Sequence, residues 1–240
     1  MTIPRVLLSL LCLLGIAAIS AEPVPAPALH ETRVVEGWTV HVRTVLLAEQ
    51  KDATEKALAL LQAQLREIVR VVPVAAVGEL RKIPLWISPE YAGVRPRAEY
   101  HPDRRWLAAN GRDAAMAKGV EFTNVRIFAE ETDRMPCFAL HELAHGYHDR
   151  VLGFDHAEIK AAYDRAKTAG SYEKVERWFG KGRPNTHERA YAMTTAREYF
   201  AETTEAFFGR NDFFPFVREE LEKHDAPMAA LLQRLWNPAP

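Results

Sequence analysis

Residues 141–145 read His-Glu-Leu-Ala-His, and this stretch decides the fold and chemistry that we expect. On an α-helix, positions i and i+4 lie on one face, so His141 and His145 can bind the same metal ion. Neutral imidazoles are common ligands of Zn2+. Glu142 lies beside the metal rather than on it, where it can take a proton from a catalytic water and pass it to a leaving group. The competing interpretation is a surface helix with two unrelated histidines.

A second acidic motif lies downstream, where a third metal ligand is needed. A catalytic zinc ion takes three protein ligands and keeps one open position. Residues 196–208 read AREYFAETTEAFF, and Glu198, Glu202 and Glu205 lie on one helical stripe of this segment. Carboxylates on so apolar a helix are costly to bury unless they are paired or bound to a metal. We expect Glu198 to be the third ligand and Glu202 to orient a histidine through its outer N–H. The alternative is a solvated acidic face, and it applies most strongly to Glu205.

The two motifs together, HELAH and EYFAE, resemble those of the gluzincin zinc metallopeptidases. The resemblance is strongest to the catalytic domain of the anthrax lethal factor family and to small exported bacterial zinc peptidases, and it covers residues 134–210. It implies a zincin-like fold, Zn2+ as cofactor and hydrolysis of peptide bonds. It also implies that Tyr191, seven residues before Glu198, stabilises the oxyanion of the tetrahedral intermediate. The first 130 residues match no toxin feature, so no host target carries over.

The amino terminus has the pattern of a secretory signal peptide. Arg5 precedes an apolar run from Val6 to Ile19, and small residues follow. We therefore expect cleavage after residue 20 and an exported protein, periplasmic or extracellular, without a membrane span after cleavage. A Pro- and Ala-rich linker is expected over residues 21–35, and one zincin-like domain over residues 36–240.

The pattern of apolar residues predicts an α+β fold, with a small mixed sheet in the first half and helices in the second. Strands are expected within Trp38–Leu47, Ile83–Ile87, Val120–Asn124 and Arg126–Phe128, and a long helix over Asp52–Val71. Val120–Asn124 is either the edge strand that pairs with an extended peptide substrate or an ordinary interior strand.

Two further histidines are candidates for the site. His148 follows His141 by seven residues and shares its helix face, so it either contacts the site or packs in the core, and core packing is favoured. His187 precedes Tyr191 in a polar loop and is a second candidate for donating a hydrogen bond to the oxyanion.

Composition restricts the function classes. The chain of 240 residues has 31 Lys and Arg against 32 Asp and Glu, a formal net charge of −1, which argues against a nucleic-acid partner. The sequence thus favours an exported zinc metallopeptidase that acts on a peptide or protein. The alternative from another class is a non-catalytic, zinc-stabilised binding domain of the cell envelope. A third possibility is an enzyme that hydrolyses an amide bond outside proteins, such as one in a cell-wall peptide. The oligomeric state is left open.

Overall fold

A computed structural model describes residues 29–237 of the chain. The expected signal peptide and most of the expected linker lie outside these residues. The last part of that linker, His30–Val35, is a strand of the main sheet, so these six residues belong to the sheet and not to a linker. Within the described residues, no helix is long and apolar enough to cross a membrane.

The first half of the chain builds a mixed five-stranded sheet with the order β1-β2-β3-β5-β4. The pairs β1–β2 and β4–β5 are antiparallel, and β2–β3 and β3–β5 are parallel. A separate antiparallel hairpin, β6–β7, lies in the second half. The strands are β1 (His30–Val35), β2 (Trp38–Arg43), β3 (Leu85–Ile87), β4 (Ala98–Tyr100), β5 (Val120–Phe122), β6 (Val175–Arg177) and β7 (Thr186–Glu188).

Helices cover the sheet and form most of the second half, so the expected α+β class is confirmed. They are α1 (Thr44–Glu49), α2 (Lys51–Val71), α3 (Val74–Leu80), α4 (Arg104–Ala109), α5 (Phe128–Arg134), α6 (Phe138–Tyr147), α7 (Ala157–Ala169), α8 (Ala196–Phe208), α9 (Arg218–His224) and α10 (Ala226–Leu235). The expected long helix is confirmed as α2, which buries Leu58, Leu61 and Leu65 along one face.

Two details of the predicted β structure were wrong. The segment Arg126–Phe128 is not a strand: a 3-10 turn over Val125–Ile127 leads directly into α5. The hairpin β6–β7 interrupts a region that was expected to be helical. Of the two alternatives for Val120–Asn124, the interior strand is confirmed: β5 lies between β3 and β4, so the edge of the sheet at this end is β4. These short segments owe their conformation to tertiary pairing, which local apolar patterns do not report.

Helix α6 lies against the edge of the sheet on one side and against α8 on the other. Gly146 permits the first contact, because a Cβ at this position would lie 2.5 Å from Cδ1 of the buried Ile83 and 3.2 Å from the Tyr100 ring. Gly209, at the end of α8, permits the second, because a Cβ there would lie 2.4 Å from Cys137 Sγ at the start of α6. The close contact with α8 brings the histidine face of α6 opposite Glu198 and Glu205 of α8.

Candidate metal centre

The structure brings together the three residues that were predicted to bind a metal. His141 and His145 lie one turn apart on α6, and Glu198 lies in the first turn of α8. His141 Nε2 is 3.1 Å from Glu198 Oε2 and 3.2 Å from His145 Nε2, and His145 Nε2 is 3.3 Å from Glu198 Oε2. The three ligand atoms therefore form a nearly equilateral triangle with one face toward a cavity.

Local sequence explains how α8 presents Glu198. Thr195 precedes the helix in an extended conformation, and its side chain accepts a hydrogen bond from the Glu198 N–H at 3.2 Å. This N-cap starts the helix at Ala196, so the Glu198 side chain projects from the first turn and meets α6. Later residues of the same stripe lie deeper in the protein, where Glu202 and Glu205 are fully buried.

Electrostatics within the triangle favour the ionised carboxylate. Burial alone would raise the pKa of Glu198, but hydrogen bonds to His141 and His145 outweigh it and hold that pKa well below its usual range. Burial likewise opposes the charged form of His141, yet its bonds to Glu198 and Glu205 raise the pKa of His141 above its usual value. The buried imidazole of His141 and the partly buried one of His145 thus lie beside carboxylates whose negative charge a cation can neutralise.

The residue that orients His141 is Glu205, and the prediction of Glu202 was wrong. Glu205 Oε1 is 2.6 Å from His141 Nδ1, whereas the nearest Glu202 oxygen is 3.9 Å away. Glu202 instead accepts a hydrogen bond from Asn211 Nδ2 at 3.0 Å. Burial, together with repulsion from Asp212 and Glu205, raises the pKa of Glu202 well above its usual value.

Glu142 is held by the edge strand of the sheet. The Tyr100 backbone N–H of β4 donates a hydrogen bond to Glu142 Oε2 at 2.8 Å. The Tyr100 hydroxyl donates a second one to Asp149 Oδ2 at 2.7 Å, which ties the same strand to the residues after α6. The carboxylate that follows His141 in sequence is therefore fixed between α6 and β4, and it faces the cavity.

The cavity has a volume of about 420 Å3. It is lined by the three candidate metal ligands, by Glu142 and Tyr191, and by strand β4. Tyr191 is 49% exposed and lies in a 3-10 turn, Tyr191–Met193, shortly before α8. Burial of its inner part and the nearby Glu198 charge raise the pKa of its phenol. Tyr191 is therefore a protonated hydrogen-bond donor at neutral pH.

The two additional histidines do not join the site. His187 is exposed on β7 and is not among the residues that line the cavity within the described chain. His148 is fully buried in the π-helical turn after α6, with its ring against Phe154 and Phe200. Neither of its ring nitrogens has a hydrogen-bond partner within residues 29–237. His148 is therefore a packed core residue, as favoured from the sequence.

Several residues of the site were not anticipated. Glu205 lies on the predicted acidic stripe, and its position two helical turns after Glu198 could have indicated that it also faces His141. Three arginines on the cavity wall, Arg97, Arg134 and Arg177, had no sequence signal, because they come from separate segments.

Comparison with known proteins adds no relative. No protein-family model, no curated protein sequence and no solved structure matches this chain.

Proposed function

We propose that this chain is an exported zinc metallopeptidase with a zincin-like fold. The observation that carries the proposal is the triangle of ligand atoms from His141, His145 and Glu198, with sides of 3.1 to 3.3 Å. A tetrahedral zinc site with bonds of 2.0–2.1 Å requires separations of about 3.3–3.4 Å between its ligand atoms. Two imidazoles and one carboxylate also form a common ligand set of catalytic zinc. The residues present fit the ion in spacing and in chemistry.

A zinc ion bound there would act as a Lewis acid, lowering the pKa of a water and polarising a carbonyl. In the proposed reaction, Glu142 takes a proton from the attacking water and delivers it to the leaving amine. The Tyr100 N–H orients the carboxylate of Glu142 for this task. Tyr191 donates its phenol hydrogen to the oxyanion, where negative charge develops.

The position of β4 at the edge of the sheet and on the wall of the cavity supports an extended peptide as the substrate. The Thr123 N–H donates to the Arg97 carbonyl and the His101 N–H to the Gly119 carbonyl, so the backbone groups of these β4-side residues point toward β5. In an antiparallel pair the intervening residues point the other way. Ala98 thus offers its N–H and C=O groups, and Tyr100 its C=O group, to the cavity, where a peptide strand can pair with them; the Tyr100 N–H is already bonded to Glu142.

The deciding experiment combines metal analysis with a single substitution. We expect the purified mature protein to contain about one zinc per chain and to cleave an unstructured protein such as casein. Glu142→Gln should keep the zinc and abolish hydrolysis, because the amide cannot accept the proton. Glu130→Gln is a matched control, since this exposed glutamate pairs with Arg183 away from the cavity.

The alternatives give different results. Bound zinc with no cleavage, together with unchanged behaviour of Glu142→Gln, would indicate a non-catalytic binding domain. Cleavage of cell-wall peptide fragments but not of casein would indicate that the substrate is a cell-wall peptide and not a protein. Near-full activity in Glu142→Gln would refute the role of this residue as general base.

A further inference from the structure

Three guanidinium groups lie on the wall of the cavity, and two of them are engaged by carboxylates. Arg97 donates from Nε and Nη2 to Glu99 at 3.3 and 3.2 Å. Arg134 donates from Nη1 to Asp212 at 3.1 Å and from Nη2 to Glu131 at 2.7 Å. Both guanidinium groups are thus paired with carboxylates at hydrogen-bond distance, although Arg134 Nε, like one nitrogen of the third arginine, is buried without a partner among residues 29–237.

The third, Arg177, is poorly satisfied. Its two contacts with carboxylates are long, 3.4 Å from Nη1 to Glu188 and 3.5 Å from Nε to Asp212. The Nε atom is buried and has no hydrogen-bond partner within the described part of the chain. Asp212 makes its shorter bond to Arg134, so it does not neutralise Arg177 fully. Because Nε is buried, a ligand in the cavity would accept from the Nη groups; the side chain is 24% exposed, and its Nη1 bond to Glu188 is long, at 3.4 Å. A charge-assisted bond from these groups to an anionic ligand would be stronger than that contact.

The surroundings of Arg177 hold its guanidinium in place. Its Cζ lies 4.6 Å from the centre of the Phe179 ring and 4.5 Å from that of Phe213. The backbone is also fixed, because Arg177 forms a β-bridge with Phe213. A stacked guanidinium is weakly hydrated and presents its donors along its edges, the geometry that suits a planar carboxylate.

From this arrangement we infer that Arg177 forms a subsite for a carboxylate of the substrate, an inference that rests on the proposed peptidase function. The carboxylate belongs either to an acidic side chain or to the C-terminus of the peptide. Glu142 and Glu198 line the same cavity and repel an acidic group elsewhere in it. The subsite at Arg177 therefore determines both which peptides bind and where along the cavity their anionic group lies.

Binding to the Glu142→Gln protein tests the subsite without turnover. Fluorescent short peptides are prepared in matched pairs that differ only in Glu against Gln at one position, or in a free against an amidated C-terminus. We expect at least one pair in which the carboxylate member binds roughly tenfold to a hundredfold more tightly. The pair that shows the ratio identifies the source of the carboxylate.

Adding Arg177→Gln should reduce that ratio to about one, and Arg177→Lys should retain part of it, since the charge remains but the planar fork is lost. Arg183→Gln is the matched control, an exposed arginine between the same strands that does not line the cavity. Thermal unfolding reports whether each variant folds, and the ratio within one variant is insensitive to a partial loss of folded protein.

A ratio near one for every pair in the Glu142→Gln protein with native Arg177, including failure of all the peptides to bind, would overturn the inference. So would a ratio that persists in Arg177→Gln. If the native protein hydrolyses casein but no peptide pair shows a carboxylate preference, the subsite alone is refuted. If the native protein hydrolyses nothing but the preference is present and depends on Arg177, the peptidase proposal is refuted and the subsite remains.

Discussion

The hydrogen bond between Glu205 and His141 allows a sharp test of the candidate metal centre. The bond is 2.6 Å long and fully buried, and it directs the other ring nitrogen of His141 toward the triangle. Carboxylates in this position typically contribute tenfold to a hundredfold to metal affinity, which corresponds to about 1.4–2.7 kcal/mol. We expect Glu205→Gln to weaken zinc binding by about tenfold, because the amide oxygen still accepts the bond but carries no charge. Glu205→Ala, which removes the acceptor, should approach a hundredfold.

The matched control is Glu202→Gln, one turn away on the same buried face of α8. Its carboxylate lies 3.9 Å from His141 Nδ1 and bonds Asn211 instead. Burial raises the pKa of Glu202 well above its usual value, which favours the neutral carboxyl group that glutamine resembles in shape. Competition with a chromophoric zinc chelator at pH 7.5 measures the affinity, and circular dichroism checks the fold. A larger loss in Glu202→Gln than in Glu205→Gln would refute the assignment.

Three other outcomes are expected. Tyr191→Phe should lower kcat by a larger factor than it changes KM, since the phenol bonds the oxygen most strongly when negative charge develops there. Steady-state kinetics that showed a change in KM alone would contradict this role. Zinc at 100 times its Kd should stabilise the fold by about 2.7 kcal/mol, and identical urea midpoints with and without a chelator would count against a folded-state site. Burial lowers the pKa of His148 to about 3, so the unfolded chain binds the extra proton first as the pH falls below about 6.5. The free energy of unfolding of the native protein should therefore fall by about 2 kcal/mol between pH 7.5 and 5 because of His148. We expect His148→Phe to remove this loss and the exposed control His187→Gln to keep it. Equal pH dependence of stability in the native protein and in His148→Phe would show that His148 is not its cause.

Local periodicity was sufficient where an element is long and amphipathic. The helix α2 was predicted to within one residue at its start, because its apolar positions recur every three or four residues. The same rule placed His141 and His145 on one face of α6. The spacing along α8 brought Glu198 into consideration as their partner, and the structure places it 3.1 Å from His141.

Short elements and long-range pairing were beyond such rules. Strands of three residues, such as β4 and β5, carry too little pattern to show which of them lies at the edge of the sheet. That depends on β4 returning antiparallel to β5, a pairing set by the packing of distant segments. The Tyr100 N–H therefore reaches Glu142 for reasons that no local motif contains.

The chain's own sequence determined which residue types lie on each helix face, and hence the donor set of two imidazoles and a carboxylate. Only the tertiary structure decided the roles within the acidic stripe, because Glu202 and Glu205 differ by less than a turn of helix and the crossing of α8 over α6 selects between them. It alone also gathered Arg177 and the edge of β4 around the same cavity, since contacts between segments far apart in sequence depend on how whole elements pack.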